Sequence, residues 1–248
     1  MLIEIHMIQN HAPANLNRDD LGAPKTCMFG GVERLRISSQ ALKRRIRRSE
    51  AFQAALERER GVRTRKLVTE LAERVAGTKP TEEMLSFIVD VLEKGGAKYD
   101  DKKEVTKVLL FLPESAIDQM AEALRNEKDR GDAAKERVTQ KFAEILASQA
   151  MAPDMALSGR MIEWDKSGEF KAIDMSIEGA LSVAHAISTH AAINEVDYFT
   201  AVDDLAKDTS AGHVDEAQFA SACFYKYFSL DWDQLVANLA GPEPRKPK

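Results

Sequence analysis

The sequence of 248 residues predicts an α+β domain. Three observations carry this. LIEIHMI near the N-terminus alternates as a strand does. Residues 62–149 read as helix after helix. ACFYKYFSL near the C-terminus returns to the aromatic composition of strands.

In order, Leu2–Ile8 is expected to be a strand with Ile3, Ile5 and Met7 on one face. Gln9 to Glu33 is rich in loop formers, including Pro13, Asn15, Asn17, Pro24 and the pair Gly30-Gly31. A loop of this length inside a domain is uncommon and often functional. Arg34–Ile37 reads as a second short strand. Ser38 and Ser39 are good N-cap residues, so a helix is expected from Gln40 to Glu57, with Leu42, Ile46, Phe52, Ala55 and Leu56 as its apolar side. The amphipathic block that follows predicts helices at Arg65–Val75, Thr81–Lys94, Lys103–Phe111, Glu114–Glu127 and Ala133–Gln149.

Asp154–Trp164 reads as extended. Ser176–Ile193 has the alanine content of a helix, but Leu181, Val183, His185 and Ile187 alternate, which favours a strand. Val196–Ala220 resembles an excursion out of a sheet and back. Ala222–Leu230 is a strand by composition, Asp231 caps a short helix ending before Gly241, and the tail 241–248 is expected to be disordered. The organisation is therefore 1–60 as the first part of a sheet domain, 61–150 as a helical insertion, 151–240 as the returning strands, and 241–248 as tail. This arrangement is compatible with a ferredoxin-like sheet, the architecture RNA-recognition motifs use.

Composition bounds the function. Apolar residues are 44% and charged residues 30%, as in ordinary globular proteins, and the formal net charge is −5. The charge is polarised. Residues 1–66 hold fourteen Lys/Arg against seven Asp/Glu, and the rest hold twenty-one against thirty-three. Such a chain can take a polyanion on one side and repel it, or meet a basic neighbour, on the other. Two cysteines outside any C-x-x-C argue against a disulfide framework and a zinc site. The N-terminus lacks a basic n-region and a long apolar core, and no run is long enough to span a membrane, so a cytoplasmic location is expected.

The sharpest local signal is RISSQALKRRIRR, Arg36 to Arg48. Five of its last six residues are cations at the start of a helix. A helix N-terminus offers free N–H groups and a partial positive charge. With the hydroxyls of Ser38 and Ser39 and with Lys43, Arg44, Arg47 and Arg48, it makes a surface for several consecutive phosphates. The competing reading is a solvated helix face paired with Glu50 or Glu57. Asn15, Asn17, Arg18 and Lys25 in the preceding loop add donors and charge, or else Asn and Asp stabilise turns there.

Other features are weaker. Asp19-Asp20 and Asp203-Asp204 are adjacent carboxylates, which point opposite ways in a strand and suit a metal poorly. His185 and His190 lack a metal-ligand spacing, so core or surface roles are expected. Tyr198-Phe199 reads as core, or as an aromatic wedge against bases. No P-loop, nucleophile elbow or Rossmann fingerprint occurs.

Six segments occur in one order: NLNRDDLGAPKT, FGGVERLRISSQALKRRIRR, DMALSGRM, VAHAISTH, DYFTAVDDL and ACFYKYFSLDWDQLVANL. Together they resemble the backbone subunit of the type I-E CRISPR Cascade complex, the CasC family. The resemblance is dense over residues 2–48 and 154–240 and thin over the helical block. It implies an RNA-recognition-motif palm, helical fingers from the insertion, and a β-hairpin thumb at about residues 194–220. It also implies copies assembled head to tail along the spacer of a CRISPR RNA, with bases flipped out at intervals, the guide pairing with a target DNA strand, and other Cascade subunits as partners in antiviral defence.

By position, the resemblance puts Asn17, Arg18 and Lys25 on the family's RNA-contacting loop, and Ser38, Gln40, Lys43, Arg44 and Arg47 on its phosphate-binding turn. Met161 matches an apolar residue that packs against displaced bases, and Phe199 matches a thumb aromatic. Relatives continue past the short helix at Gln234–Leu239 with more helix and a final palm strand. The expectation is therefore a fragment, or a sheet completed by another polypeptide. No catalytic residue and no cofactor is expected. The alternative is a metal-dependent endoribonuclease backbone subunit that cleaves guide-paired RNA with Asp19 or Asp20, and a third reading is a helical protein whose basic face meets an acidic partner.

Overall fold

The computed structural model describes residues 1–56, 59–77, 79–100, 105–148, 151–162, 164–165, 167–201 and 213–240. The first stretch runs β1 (Leu2–Ala14), β2 (Thr26–Phe29), β3 (Val32–Ile37), α1 (Ser39–Arg47) and α2 (Glu50–Leu56). The middle runs β4 (Gly61–Thr64), α3 (Leu67–Ala76), α4 (Glu82–Gly95), β5 (Leu110–Pro113), α5 (Glu114–Asn126), α6 (Asp132–Ala147) and α7 (Pro153–Ser158). A 3-10 turn at Glu169–Ala172 leads to β6 (Leu181–Val183), β7 (Ala186–Ser188), β8 (Glu195–Ala201), β9 (His213–Asp231) and α8 (Trp232–Ala240). This is a mixed α+β chain with an antiparallel sheet. It divides into two units. One is 2–49 with 181–230, and the other is 1, 50–180 and 231–248.

In the first unit the sheet runs β1-β9-β7-β3-β2, and β6 and β8 also pair with β9. β2 and β3 form a tight hairpin in which Phe29 faces Val32 across Gly30-Gly31. Both glycines have positive φ, 65° and 80°, which a two-residue turn of this hand requires. The loop expected at Gln9–Glu33 is therefore shorter than the sequence suggested, because β1 runs on to Ala14 and β2 occupies 26–29. Alternation in β3 sends Leu35 and Ile37 to one face. There they cluster with Ala186, Ala220, Ala222 and Phe224, and Ala41 and Leu42 of α1 pack against them. β8 and β9 pair in register from Glu195↔Phe219 to Ala201↔His213. Asp203-Asp204 lies outside the described residues, as does the tail from 241.

The second unit carries the larger core. In α4, Met84, Phe87, Ile88, Val91, Leu92 and Gly95 recur at helical spacing, and all but half-buried Met84 are fully buried. Ile117 and Met120 of α5 and Phe142 of α6 join them, with Phe170 from the 3-10 turn. Burial of each such side chain contributes about 1.5–3 kcal/mol. Thr81 caps α4 by accepting the Met84 N–H at 3.3 Å. At the other end of the chain, Asp231 Oδ1 accepts from Asp233 and Gln234 N–H at 3.0 and 3.1 Å, the cap the sequence predicts for α8.

Three further expectations are corrected. The helix expected over Gln40–Glu57 is broken after Arg47. Ser49 Oγ donates to the Ile46 carbonyl at 2.9 Å, so the serine competes with the helix ladder there. Glu57 lies outside the described residues. The helix expected over Lys103–Phe111 gives way to β5, whose four buried residues pair with β4 from Gly61↔Pro113 to Thr64↔Leu110; residues 101–104 lie outside the described residues. A short apolar run does not itself distinguish strand from helix. Asp154–Trp164, expected as extended, begins with helix α7, where Pro153 sits in the first turn with no N–H to lose.

Candidate nucleic-acid interface

The start of α1 is built by residues far apart in sequence. Ser38 is extended (φ −65°, ψ 148°) and buried, and its Oγ accepts the Ala41 N–H at 3.3 Å. Its own N–H donates to Asn17 Oδ1 at 2.9 Å. The Ser39 N–H donates to His185 Nδ1 at 3.2 Å, which fixes the ring proton on Nε2. Among the described residues, Gln40 is thus the one amide of the first turn whose N–H has no protein acceptor. That amide is a point where an oxyanion can bind.

The loop is stitched to the same place. Lys25 N–H donates to the Asn17 carbonyl and Arg36 N–H to the Lys25 carbonyl, both at 2.8 Å. Asp19 Oδ1 accepts from the Leu21 and Ala23 N–H groups at 2.9 Å, so this carboxylate closes a turn. Asp20 is exposed. Among the described residues no group of three or more His, Cys, Asp or Glu is placed to hold a metal ion. Nor, among them, is any helix long and apolar enough to cross a membrane.

Gln40, Lys43, Arg44 and Arg47 fall on one face of α1 by their i, i+3, i+4, i+7 spacing, and Leu42 lies opposite, against the sheet. The first turn holds no acidic residue. Among the described residues Lys43, Arg44, Arg45 and Arg48 make no ion pair, so the alternative of a salt-bridged face does not account for these four. Arg44 and Arg48 are exposed, and Lys43 and Arg47 half-buried. A ladder of cations above an open amide can neutralise successive phosphates without reading bases.

The structure brings Asn17, Lys25, Ser38, Gln40, Lys43, Arg44 and Arg47 to one turn and its helix. Arg18 is exposed nearby, in a bridge with Pro24. Asn17 commits its side-chain carbonyl oxygen to Ser38, and its amide donors have no protein acceptor among the described residues. Phe199 lies on β8, 48% exposed beside Tyr198 at 70%, so this pair is not core. Met161 belongs to the other unit and is 79% exposed.

Two residues of the site escaped the sequence reading. His185 holds the Ser39 amide, and only the strand pairing that brings residues 185–187 beside 36–39 places it there. Arg36 precedes the turn, and its Nε is buried without a partner. The alternation of Arg34, Leu35, Arg36 and Ile37 could have marked it as facing away from the core.

The sequence matches the CT1975-like protein family over residues 3–247. The chain belongs to that family. Among solved structures, this CT1975-like chain is similar to a chain of one described as "CRISPR RNA-guided surveillance complex, pre-nicking", with a TM-score of 0.79 and 32% identity, covering 98% of this chain and 68% of that one. It is also similar to a chain of a "CRISPR RNA-guided surveillance complex", with a TM-score of 0.69 and 27% identity, covering 97% of this chain and 66% of that one. The chain thus spans about two thirds of the length of these structures' chains. No curated protein matches it.

Proposed function

We propose that this chain is a CRISPR RNA-binding backbone subunit of a Cascade-type surveillance complex, and that it acts without catalysis. The observation that carries this reading is the cationic face of α1, on which Lys43 and Arg44 make no ion pair among the described residues, beside an open helix amide, in a chain similar to one from an RNA-guided complex. Lys43, Arg44 and Arg47 hold consecutive phosphates of the guide, and the Gln40 N–H and the Asn17 amide fix their register. Such contacts suit a guide, because charge accepts any spacer sequence and leaves reading to Watson–Crick pairing.

The finer assignment is to the CasC family of type I-E. In it the first unit's sheet is an RNA-recognition-motif palm, the helices of 61–150 are fingers, and the β8–β9 hairpin is a thumb whose Phe199 wedges against flipped bases. Met161 packs against a displaced base. Copies assemble head to tail along the spacer, with other Cascade subunits, in the cytoplasm, and present the guide to a target DNA strand. Metal-dependent cleavage gains no support from Asp19, whose carboxylate oxygen is engaged in its own turn.

The test is to co-express the chain with a CRISPR array, record the 260/280 nm absorbance ratio of the purified protein, and sequence any bound nucleic acid. Spacer-derived RNA is the expected result. Protein free of nucleic acid under these conditions sinks the reading for this chain.

A further inference from the structure

The first unit carries an aromatic cavity that the α1 contacts do not use. It opens on the face of the sheet opposite its core, because alternation in β9 sends Phe224 to that core and Tyr225 and Tyr227 the other way. Its volume is about 470 Å³, and its lining includes His6 of β1, Phe29 and Arg34 of the β2–β3 hairpin, His185, Tyr225 and Tyr227.

These side chains hold one another in place. His6 Nδ1 and the Tyr225 hydroxyl are 2.7 Å apart, and the His6 and Tyr227 ring centroids are 4.9 Å apart. The Tyr227 hydroxyl donates to Glu4 Oε1, and Glu4 is the one acid among the described residues of the lining. Arg34 is fixed as well. Its Nε donates to the Phe29 carbonyl at 3.1 Å and its Nη1 to the Ser188 carbonyl at 2.9 Å, which leaves the guanidinium 5.8 Å from the Phe29 ring centroid. Among the described residues its Nη2 has no acceptor.

Tyr225 and Phe29 nonetheless stay 42% and 56% exposed. Ordered aromatic faces left in water beside a fixed guanidinium form a stacking site for a flat ring. An aliphatic side chain would leave the Arg34 Nη2 unanswered, whereas nucleobases carry acceptors for it on their edges. The cavity is also joined to the α1 turn. His185 lines it, and the Nδ1 of that ring accepts the Ser39 N–H at 3.2 Å, one residue before the open Gln40 amide. A phosphate on that amide therefore lies one side chain from the cavity.

We propose that this cavity stacks one nucleobase of the RNA strand whose phosphates lie on α1, with Tyr225 as the stacking ring. The inference rests on the guide-binding reading and adds to it a base contact that accepts any base, since each has a π face.

The test uses the full chain with fluorescent oligouridylate and oligoadenylate, and follows anisotropy across a salt series. Tyr225→Leu keeps apolar bulk and removes the ring. It should weaken binding of both strands about tenfold and leave the slope of log K against log salt unchanged, because stacking releases no counterions. Tyr225→Phe keeps the ring and should bind as the unaltered chain does. A second measurement needs no variant and decides the matter if Tyr225→Leu fails to fold. Oligouridylate in which every uridine is 4-thiouridine is photocrosslinked to the unaltered chain, and the modified residues are found by mass spectrometry. Adducts at His6, Tyr225 or Tyr227 are expected. Unchanged affinity in a folded Tyr225→Leu chain, or adducts only outside the cavity, overturns the proposal and leaves phosphate binding at α1 standing. A chain with no RNA affinity at all overturns both this inference and the guide-binding reading.

Discussion

Asn17 Oδ1 accepts the Ser38 backbone N–H at 2.9 Å, so a loop side chain fixes the start of α1 from 21 residues away. Removing the acceptor leaves a largely enclosed donor unpaired. Asn17→Ala should therefore destabilise the chain by about 1–3 kcal/mol in urea unfolding. Asn17→Asp keeps an acceptor oxygen and should recover most of that loss. Equal losses in both variants would mean that the amide donors, and not the oxygen, hold the turn.

The cationic face of α1 should act without sequence preference. Lys43→Ala with Arg44→Ala removes two phosphate contacts and should flatten the salt slope of RNA binding by about 1.4 units. Anisotropy with oligouridylate, oligoadenylate and mixed sequences should show the same loss for each. A changed preference with an unchanged slope would contradict phosphate binding.

Gly95 meets Phe170 inside the helical core. A Cβ built on Gly95 lies 2.1–2.5 Å from three atoms of that fully buried ring. Gly95→Ala should cost about 1–3 kcal/mol by overpacking, read as a lower urea midpoint at unchanged m. Adding Phe170→Leu should return part of it.

Acid should find Glu114. The Arg60 hydrogen bond holds its carboxyl below the usual carboxylate range, with Arg74 assisting. A lowered folded-state pKa stabilises above the unfolded value, about 4.3, and that contribution is lost as pH falls through the folded value. Thermal midpoints of the unaltered chain should therefore drop on acidification below about pH 4.3. Glu114→Gln should show a shallower drop over the same range.

How much was legible in the sequence depended on the length of the pattern. α4, α5 and α6 repeat an apolar stripe over three turns or more, so their positions were readable within a few residues. β5 and α7 are four and six residues long, too short for a period to declare itself. Pro153 was a usable sign for α7, and Gly30-Gly31 for the β2–β3 hairpin. The cations of α1 were visible because they are contiguous. His185 was not, because its role depends on strand pairing across more than a hundred residues.

That last contact also orders events on the ribosome. Ser39 and His185 are separated by 146 residues, so the last contact of the α1 turn cannot form when the turn's own residues emerge. At typical synthesis rates the second partner follows about 7–30 s later. During that interval the nascent chain carries its basic segment without the strand that completes the grip. Completion of the turn is thereby tied to translation of the returning strands.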